Sequence, residues 1–431
     1  MNFKVKNFAL YNFFYRINRK LAKTYLVLPI LITIVAFSNS SCRSGVTVTE
    51  IKGLSEAVWG LNSMAVAGNK VVMGSYSDGV SILIVDTEKV TVSEKKGLSE
   101  AVWGFNAMAV AGNKVVIGRN SYGDSILIAD TEKDTVTEIK GLSGSKWGYD
   151  GIMAVAGNKV VVGHGDNYSA DSILIVDAEK ETVIEKKGFS EAAWGLNSMA
   201  VVGDKVVMGR GDSDTWYGYS KEVSRNKGNG EYYWRPDPGD SILIIDTKKG
   251  TVTEKKGLSE AYWGYRSTAV AGNKIVMGPG CGAGNSILIV DAEKETVTEK
   301  GGFSEKAAWG EFREIAVAGN KIVMGSSSSV MNRGYSILVV DTEKGTVIEK
   351  KGLSKAEWGN RFITVVGNKV VMQGGQKSIH IIDAEKGTVD EIKGLPKAFW
   401  SGGAMAVAGN KVVKGRSDKG DSIFIADIKN N

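Results

Sequence analysis

Histidine, cysteine and proline are scarce in this chain, which has two histidines, two cysteines and five prolines in 431 residues. The histidines lie far apart, at positions 164 and 380, and there is no Ser-His-Asp set, paired-cysteine metal motif or phosphate-binding loop. We therefore expect no catalytic residue, no metal site, no cofactor and no enzymatic activity. If Cys42 is acylated or removed, Cys281 has no partner for a disulfide, so a large core must hold the fold.

The body of the chain has no excess charge of either sign. The formal net charge of +6 comes from six lysines and arginines in residues 1–41, a segment without acidic residues. Removing these six from the total of 54 leaves 48 basic residues, equal to the 48 acidic ones. A neutral body provides no field for a phosphate backbone, so we expect no nucleic-acid partner.

Long apolar runs are also missing, and the longest is Tyr25–Phe37. A helix of that length rises only about 20 Å, short of a bilayer core of about 30 Å. Basic residues before the run and small residues after it are typical of an export signal over residues 1–41. Two processing sites fit: a small-x-small site at Ala36–Ser38, or a lipoprotein-like box that acylates Cys42 and leaves 42–45 as a short tether.

One repeat fills residues 46–431. Eight tryptophans mark it, with spacings of 44, 44, 47, 69, 46, 49 and 42 residues, and repeats of 40–50 residues are typical of propeller blades. These residues are Trp59, Trp103, Trp147, Trp194, Trp263, Trp309, Trp358 and Trp400.

Each repeat contains four short strand patterns. In the first copy they are Met64–Ala67, Lys70–Met73, Ser81–Val85 and Thr91–Lys96, separated by turn signals. The first is rich in alanine, which suits the crowded axis of a propeller. The third is apolar on both faces, and the fourth carries the charges of an exposed edge. We predict that the strands run in this order from axis to rim.

The ends of the repeat array predict how it closes. The last copy stops after Asp427 without a fourth strand, whereas residues 46–50 form a fourth-strand pattern with no blade before it. We therefore predict an all-β fold, a closed eight-bladed β-propeller with four antiparallel strands per blade. In this fold the N-terminal strand completes the last blade.

The repeat resembles two known propeller families. Segments such as 81–94, with hydrophobic residues before an Asp-Thr hairpin, are similar to the YVTN-type repeat. The Gly-Asn-Lys turn before an apolar strand and a glycine is similar to kelch repeats. The resemblance covers residues 46–431 and implies a propeller fold. It implies no particular activity, because propellers host many unrelated functions.

Several repeated residues are predicted to be structural. The aspartate that ends each third strand should accept backbone N–H groups of its hairpin, and the serine that begins the strand should form a hydroxyl hydrogen bond. The hairpin ends in glycine at Gly250, Gly345 and Gly387, which predicts a left-handed turn position. The aspartates are Asp86, Asp130, Asp177, Asp246, Asp291, Asp341, Asp383 and Asp427.

The eight tryptophans have two interpretations. Each lies in the connection that enters its blade, where a bulky ring can wedge neighbouring blades together. Alternatively, the rings form stacking platforms for sugars, as in propeller lectins. Exposure of the rings distinguishes the two.

Sequence variation is confined to one end of the blades. The turns between first and second strands, and between third and fourth strands, are nearly uniform, and we call their end the hairpin face. The loops between second and third strands differ in every blade, and together with the blade entries they form the loop face. A uniform scaffold with varied loops at one end is typical of a binding surface.

One loop, residues 210–240 in the fourth blade, is about 25 residues longer than the others. It is rich in aromatic and arginine side chains, which often anchor interfaces. We predict that it contacts a partner; the alternative is a loop that packs on itself. The candidate residues are Trp216, Tyr217, Tyr219, Arg225, Tyr232, Tyr233, Trp234 and Arg235.

These observations lead to one functional hypothesis and two alternatives. We predict a non-catalytic, monomeric bacterial scaffold, exported to the cell envelope as a lipoprotein or secreted protein, that binds a protein through its loop face. It would touch a membrane only through its N-terminal anchor. The first alternative is a multivalent glycan-binding lectin, and the second is an enzyme with a site in the central channel.

Overall fold

The computed structural model describes residues 49–75, 80–148, 152–164, 171–190, 192–210, 239–280, 284–303, 308–309, 315–327, 336–353, 363–373, 378–393, 405–414 and 424–428. The chain divides into two units, Met1–Glu56 and Ala57–Asn431. In the first unit, the described residues 49–56 contain no strand. The predicted export signal and tether lie outside the described residues. Within the ranges given above, no helix is long and apolar enough to cross a membrane.

The described residues of the second unit form eight antiparallel sheets, each of which we call a blade. Six blades have four strands in sequence order, blade 6 has an additional short strand, and the described part of blade 8 has three strands. The first strands of blades 1 to 8 are β1 (Trp59–Ala67), β5 (Trp103–Ala111), β9 (Met153–Ala156), β13 (Trp194–Val202), β17 (Thr268–Ala271), β22 (Ile315–Ala318), β26 (Ile363–Val366) and β30 (Met405–Ala408). The second strands are β2 (Lys70–Ser75), β6 (Lys114–Arg119), β10 (Lys159–Val162), β14 (Lys205–Arg210), β18 (Lys274–Met277), β23 (Lys321–Ser327), β27 (Lys369–Gln373) and β31 (Lys411–Lys414).

The third and fourth strands complete the blades. The third strands are β3 (Ile82–Asp86), β7 (Ile126–Asp130), β11 (Ile173–Asp177), β15 (Ile242–Asp246), β19 (Ser286–Asp291), β24 (Ile337–Asp341), β28 (Ser378–Asp383) and β32 (Phe424–Asp427). The fourth strands are β4 (Thr91–Lys95), β8 (Thr135–Ile139), β12 (Thr182–Lys186), β16 (Thr251–Lys255), β20 (Thr296–Gly301), β25 (Thr346–Lys350) and β29 (Thr388–Lys393). The additional strand of blade 6 is β21 (Ala308–Trp309), which pairs with β23.

The blades pack side by side in sequence order. Their first strands contact one another from each blade to the next, from β1 through to β30, so they form the inner line of the array. Each blade then runs outward through its second and third strands to its fourth, which confirms the predicted strand order. This repetition of radially packed, four-stranded antiparallel sheets is the architecture of a β-propeller.

Hydrophobic clusters fill the spaces between successive blades. Between blades 1 and 2, Val72 and Ile84 of the first pack with Ile117 and Leu127 of the second. On the other face of β7, the third strand of blade 2, Ile128 packs toward blade 3. The third strand is therefore covered on both faces, as its continuous apolar sequence predicted.

The first strand is longer than predicted in blades 1, 2 and 4. In blade 2, Trp103 pairs with Arg119 and Met108 pairs with Ile117, with a bulge between the two pairs. Gly104 at φ +77° and Asn106 at φ +49° give the backbone of this bulge its left-handed turns. The prediction that the tryptophan lies in the connection before the blade is therefore wrong for these blades, because the bulge lets the strand resume pairing at the tryptophan.

Blades 1 and 8 each have a flank that is more exposed than in the other blades. Met64 and Val66 are 52% and 64% exposed, whereas Met108 and Val110 at the same repeat positions are partly buried. In blade 8, Ile425 is 61% exposed. Of the predicted N-terminal strand at 46–50, only Thr49 and Glu50 are described, and they are not in a strand.

Candidate functional site at the base of the loop face

The repeated aspartates hold the hairpin face together. Asp130, at the end of β7, accepts the backbone N–H groups of Glu132 and Lys133 at 3.0 and 2.9 Å. It also pairs with Lys114 Nζ at 2.6 Å. Burial raises the pKa of Asp130, but hydrogen bonds from Lys114 and Lys133 outweigh it and bring the pKa down to about 2. The predicted role of this aspartate in its hairpin is confirmed.

The left-handed position of the same hairpins is also confirmed. Gly250, Gly345 and Gly387 have φ values of +67°, +63° and +63°. Four residues with side chains share this conformation, and three of them are acids bound to a lysine of the preceding blade. These four residues are Val90, Asp134, Glu181 and Glu295, and the lysines that bind the acids are Lys95, Lys114 and Lys205.

In blade 2, the serine that begins the third strand links that strand to the blade entry. Ser125 Oγ donates to Glu138 Oε1 at 3.0 Å, and Glu138 Oε2 accepts the backbone N–H of Ser99 at 3.2 Å. Because Ser99 lies in the segment that enters blade 2, the glutamate fixes that segment to the outer strand. The predicted structural hydroxyl bond is confirmed here, and Ser81 and Ser241 form the same bond with Glu94 and Glu254.

Five of the repeated tryptophans are fully buried. Trp103 packs among Val72, Ile82 and Ile84 of the preceding blade, which fits the wedge interpretation. Its indole N–H donates to the Ser99 carbonyl at 3.0 Å. The fully buried rings are Trp103, Trp147, Trp194, Trp263 and Trp309.

This burial corrects the glycan-platform alternative for those five residues. A sugar can stack only on a ring with an exposed face, and none of these rings has one. Trp59 is partly buried, whereas Trp358 and Trp400 lie outside the described residues.

An arginine clamp lies beneath the loop of blade 2. Arg119 ends β6 and is buried, with its guanidinium carbon 5.2 Å from the centroid of the Trp103 ring. Its nitrogens donate to Ser125 Oγ and to the Ser121 carbonyl, each at 3.0 Å. Gly123 lies directly against the guanidinium, where an added Cβ would be 2.0 Å from Cζ. Burial lowers the pKa of Arg119, against Asp124 and Glu138.

Blade 4 has the same clamp beneath the long loop. Arg210 ends β14, lies 5.1 Å over the Trp194 ring and donates to Ser241 Oγ at 3.1 Å. Gly239 lies against this guanidinium, where an added Cβ would be 2.1 Å from Cζ. Gly239 also exchanges two backbone hydrogen bonds with Ala261 of blade 5, at 3.3 and 3.1 Å. The residues just before and just after segment 211–238 are therefore in contact with each other and fixed to two blades.

Sequence reasoning missed this clamp, although a signal was present. Blade 2 reads Arg-x-x-x-Gly-Asp-Ser from Arg119 to Ser125, and the same pattern runs from Arg416 to Ser422 in blade 8. Blade 4 separates its Arg210 from Gly239-Asp240-Ser241 by the long insertion. The blade 8 copy lies outside the described residues.

The other predicted site residues are not described. All eight loop candidates fall within 211–238, and Cys42 falls within the first 48 residues, so both stay predictions. In the described ranges, no three His, Cys, Asp or Glu side chains group as metal ligands would.

Comparison with known proteins gives weak likenesses only. No protein-family model and no curated protein matches the sequence. Among solved structures, the chain is similar to apo AztD from Citrobacter koseri, with 12% identity and a TM-score of 0.36 over 80% of this chain and 88% of that one. It is also similar to BamB from Moraxella catarrhalis, with 12% identity and a TM-score of 0.38 over 83% and 91% of the two chains.

A third similar structure is dihydro-heme d1 dehydrogenase NirN in complex with DHE, with 11% identity and a TM-score of 0.39 over 78% and 66% of the two chains. At such identities and TM-scores, these likenesses support no argument about function. The propeller architecture therefore rests on the blades themselves, and the YVTN-like and kelch-like resemblance stays a prediction.

Proposed function

We propose that this protein is a non-catalytic binding scaffold that engages a protein partner through its loop face, with the insertion in blade 4 as the main contact. The observation that carries this proposal is the closed base of the insertion. Arg210 and Gly239 are in contact with each other and locked between Trp194 and Ala261. Binding residues are often found on loops that a rigid scaffold positions.

The chemistry of the insertion supports a protein partner. Its predicted contact residues combine two tryptophans, four tyrosines and two arginines, the residue types most often found at the centre of interfaces. Tyrosine and tryptophan lose little conformational entropy on binding, since each has only two side-chain torsions. The body of the chain is neutral, so contact area and aromatic anchoring would contribute more to affinity than long-range charge.

The test is a loop replacement. Residues 211–238 are replaced by Asn120-Ser121-Tyr122, the segment that the same clamp holds in blade 2. We expect the variant to keep its melting temperature and to lose crosslinking to a defined envelope protein that the parent chain crosslinks. A matched control replaces Asn120-Ser121-Tyr122 by three glycines and should keep the crosslink. A crosslink that survives the loop replacement would contradict the proposal.

A glycan array with both forms separates the lectin alternative. Saturable sugar binding by both the parent chain and the loop-replaced variant would favour repeated sites on the blades. Sugar binding by the parent alone would place a glycan site on the insertion. Absence of sugar binding by both forms would favour the protein-partner proposal over the lectin alternative.

We further propose that the eight blades close into a ring. In the interface between blades 1 and 2, Met108 and Val110 of one flank pack against Ala65 and Ile84 of the other. The exposed flank of blade 1 carries the counterparts of Met108 and Val110, and the exposed flank of blade 8 carries the counterpart of Ile84. The two flanks therefore match each other. By analogy with β4, which pairs with β3, the predicted strand at residues 46–50 would supply the fourth strand of blade 8.

Closure predicts a large effect of a small deletion. Removing residues 46–52 should lower the melting temperature steeply, because blade 8 would lose its outer strand and the seam its last contact. Removing residues 42–45 is the control and should leave the melting curve in place. If the first deletion behaves like the control, the ring is open.

We also propose export to the bacterial envelope with a lipid on Cys42. The basic and apolar segments of residues 1–41 support export, and Ser40-Ser41-Cys42 supports acylation. Mass spectrometry of the mature N-terminus tests both. A diacylated Cys42 is expected, and an unmodified start at Asn39 would exclude the lipid.

A further inference from the structure

Blade 3 replaces the arginine of the clamp by a histidine. His164 follows β10 at the repeat position of Arg119 and Arg210, and it is 5% exposed. Its ring packs on Trp147, with the ring centroids 4.0 Å apart and the planes tilted by 55°. The imidazole therefore occupies the place between entry tryptophan and third-strand serine that a guanidinium fills in blades 2 and 4.

Both ring nitrogens of His164 contact serine hydroxyls. Nδ1 forms a hydrogen bond with Ser145 Oγ, and Nε2 lies 3.0 Å from Ser172 Oγ. Ser172 is the usual serine of the third strand, whereas Ser145 stands where blades 2, 4 and 5 have alanine. A neutral imidazole offers one donor and one acceptor, which the two hydroxyls can match. The serine and the histidine thus form a clamp of their own in blade 3.

Burial keeps this ring uncharged. It is the larger influence on His164 and lowers its pKa to about 4, while Glu185 on β12 and Asp171 before β11 act in the opposite direction. The two residues of the entry segment that contact the ring, Ser145 and Trp147, carry no charge. Arginine stays protonated throughout the physiological range, so the clamps of blades 2 and 4 cannot respond in this way.

The entry segment, residues 143–148, is the connection that His164 holds. Its Ser145 exchanges two backbone hydrogen bonds with Gly123 of blade 2, at 2.9 and 3.2 Å. Its Gly148 N–H donates to the Gly163 carbonyl of blade 3 at 3.1 Å. The segment therefore joins blades 2 and 3 at the loop face. Two side chains of blade 3 attach to it: Glu185 accepts the Ser143 N–H, and His164 bonds to Ser145.

We propose that His164 is a proton-operated clamp, in which the uncharged ring holds entry segment 143–148 against blade 3 and the protonated ring releases it. Release exposes the ring to water, where its ordinary pKa of 6.5 returns, so the released state binds a proton that the clamped state does not. This linkage raises the opening equilibrium on the order of 20-fold between pH 7 and pH 5. The device acts at the junction of blades 2 and 3 and does not depend on the proposed partner.

Amide hydrogen exchange of the full chain tests this proposal. The Gly148 amide reports the attachment directly, because its acceptor is the residue before His164. After correction for intrinsic exchange rates, its protection should fall on the order of 20-fold from pH 7 to pH 5. Gly264 of blade 5, whose amide donates to Gly278 at 2.8 Å, is the matched control and should keep its protection.

Two variants complete the experiment. His164→Arg installs the residue of blades 2 and 4 and should make the protection of Gly148 independent of pH. His380→Leu leaves His164 as the only histidine, so its ring can be titrated by NMR even if the arginine variant does not fold. We expect a midpoint below pH 5. A midpoint at pH 6 or above, or constant protection of Gly148 in the parent chain, would overturn the proposal.

Discussion

The repeated contacts at the hairpin face fix the length of the turn that they hold, whereas the repeated contacts at the loop face do not fix the length of the loop. At the hairpin face, the pair of Asp130 and Lys114 has equivalents in other blades, and the turn that this pair holds has one length. At the loop face, one arginine clamp holds three residues between Arg119 and Gly123 and 28 residues between Arg210 and Gly239. A clamp that fixes only the two ends of a segment leaves its length free to vary, so new loops can be added without disturbing the blade.

The largest expected loss of stability comes from removing the buried tryptophan on which each arginine clamp packs. Trp103→Ala and Trp194→Ala should each lower the free energy of unfolding by about 3–5 kcal/mol, because each removes a fully buried ring between two blades. Urea denaturation of both variants measures the loss. Equal losses would show that the scaffold of blade 4 is as rigid as that of blade 2. A markedly smaller loss at Trp194 would mean that the long insertion stands on a looser base.

Acid should destabilise the chain through a histidine in blade 7. His380 is buried on β28, where β7 and β11 have Leu127 and Leu174. Burial lowers its pKa to about 4, against the opposing effect of Glu391. The unfolded chain takes up this proton near pH 6.5, so the stabilisation is complete above that pH and is lost as the pH falls toward 4. The loss is at most about 3 kcal/mol.

Leucine is the matched replacement for this histidine. His380→Leu should remove that part of the pH dependence, as measured by urea midpoints at pH 7 and pH 4.5. An unchanged pH dependence would show that His380 is already hydrated in the folded state. The carboxylates of the hairpin face are the same in the parent chain and in the variant, so the difference in pH dependence between the two proteins belongs to His380.

The clamp itself gives an intermediate effect. Arg119→Ser and Arg210→Ser, which install the residue found at Ser75 and Ser326, should each cost about 1–3 kcal/mol through lost hydrogen bonds and the lost contact with tryptophan. Thermal melts of the two variants measure this. Equal shifts would show that the clamp does not depend on loop length. A larger shift for Arg210→Ser would reveal that the insertion adds contacts to its base.

The smallest expected effect is at the hairpin face. Val90 has a φ of +54°, a left-handed conformation that is costly for a branched side chain. Val90→Gly should raise the free energy of unfolding by about 0.5–1 kcal/mol, because the relief of strain exceeds the added flexibility of the unfolded chain. Gly250→Val is the reciprocal control and should destabilise. If Val90→Gly is destabilising, contacts of the valine side chain outweigh its backbone strain.

Much of the architecture was predictable because it repeats. The tryptophan period, the hairpin aspartates and the left-handed glycines predicted the blades, the order of their strands and the turns that join them. The bulge that draws Trp103 into β5 was not predicted, since it depends on pairing with Arg119 across the sheet and not on local periodicity. The clamp was missed for a related reason: in blade 4 its two halves are separated by the whole insertion.

The sequence by itself determined which residues are structural and which end of the blades varies, because eight copies of one unit can be compared position by position. Only the tertiary structure decided that five of the eight repeated tryptophans, Trp103 among them, are wedges with no exposed face, since burial depends on the neighbouring blade. It likewise decided that Arg119, His164 and Arg210 occupy the equivalent position in blades 2, 3 and 4, with different chemistry. Those side chains meet their partners across strands and between blades, and such distances are set by packing and not by spacing along the chain.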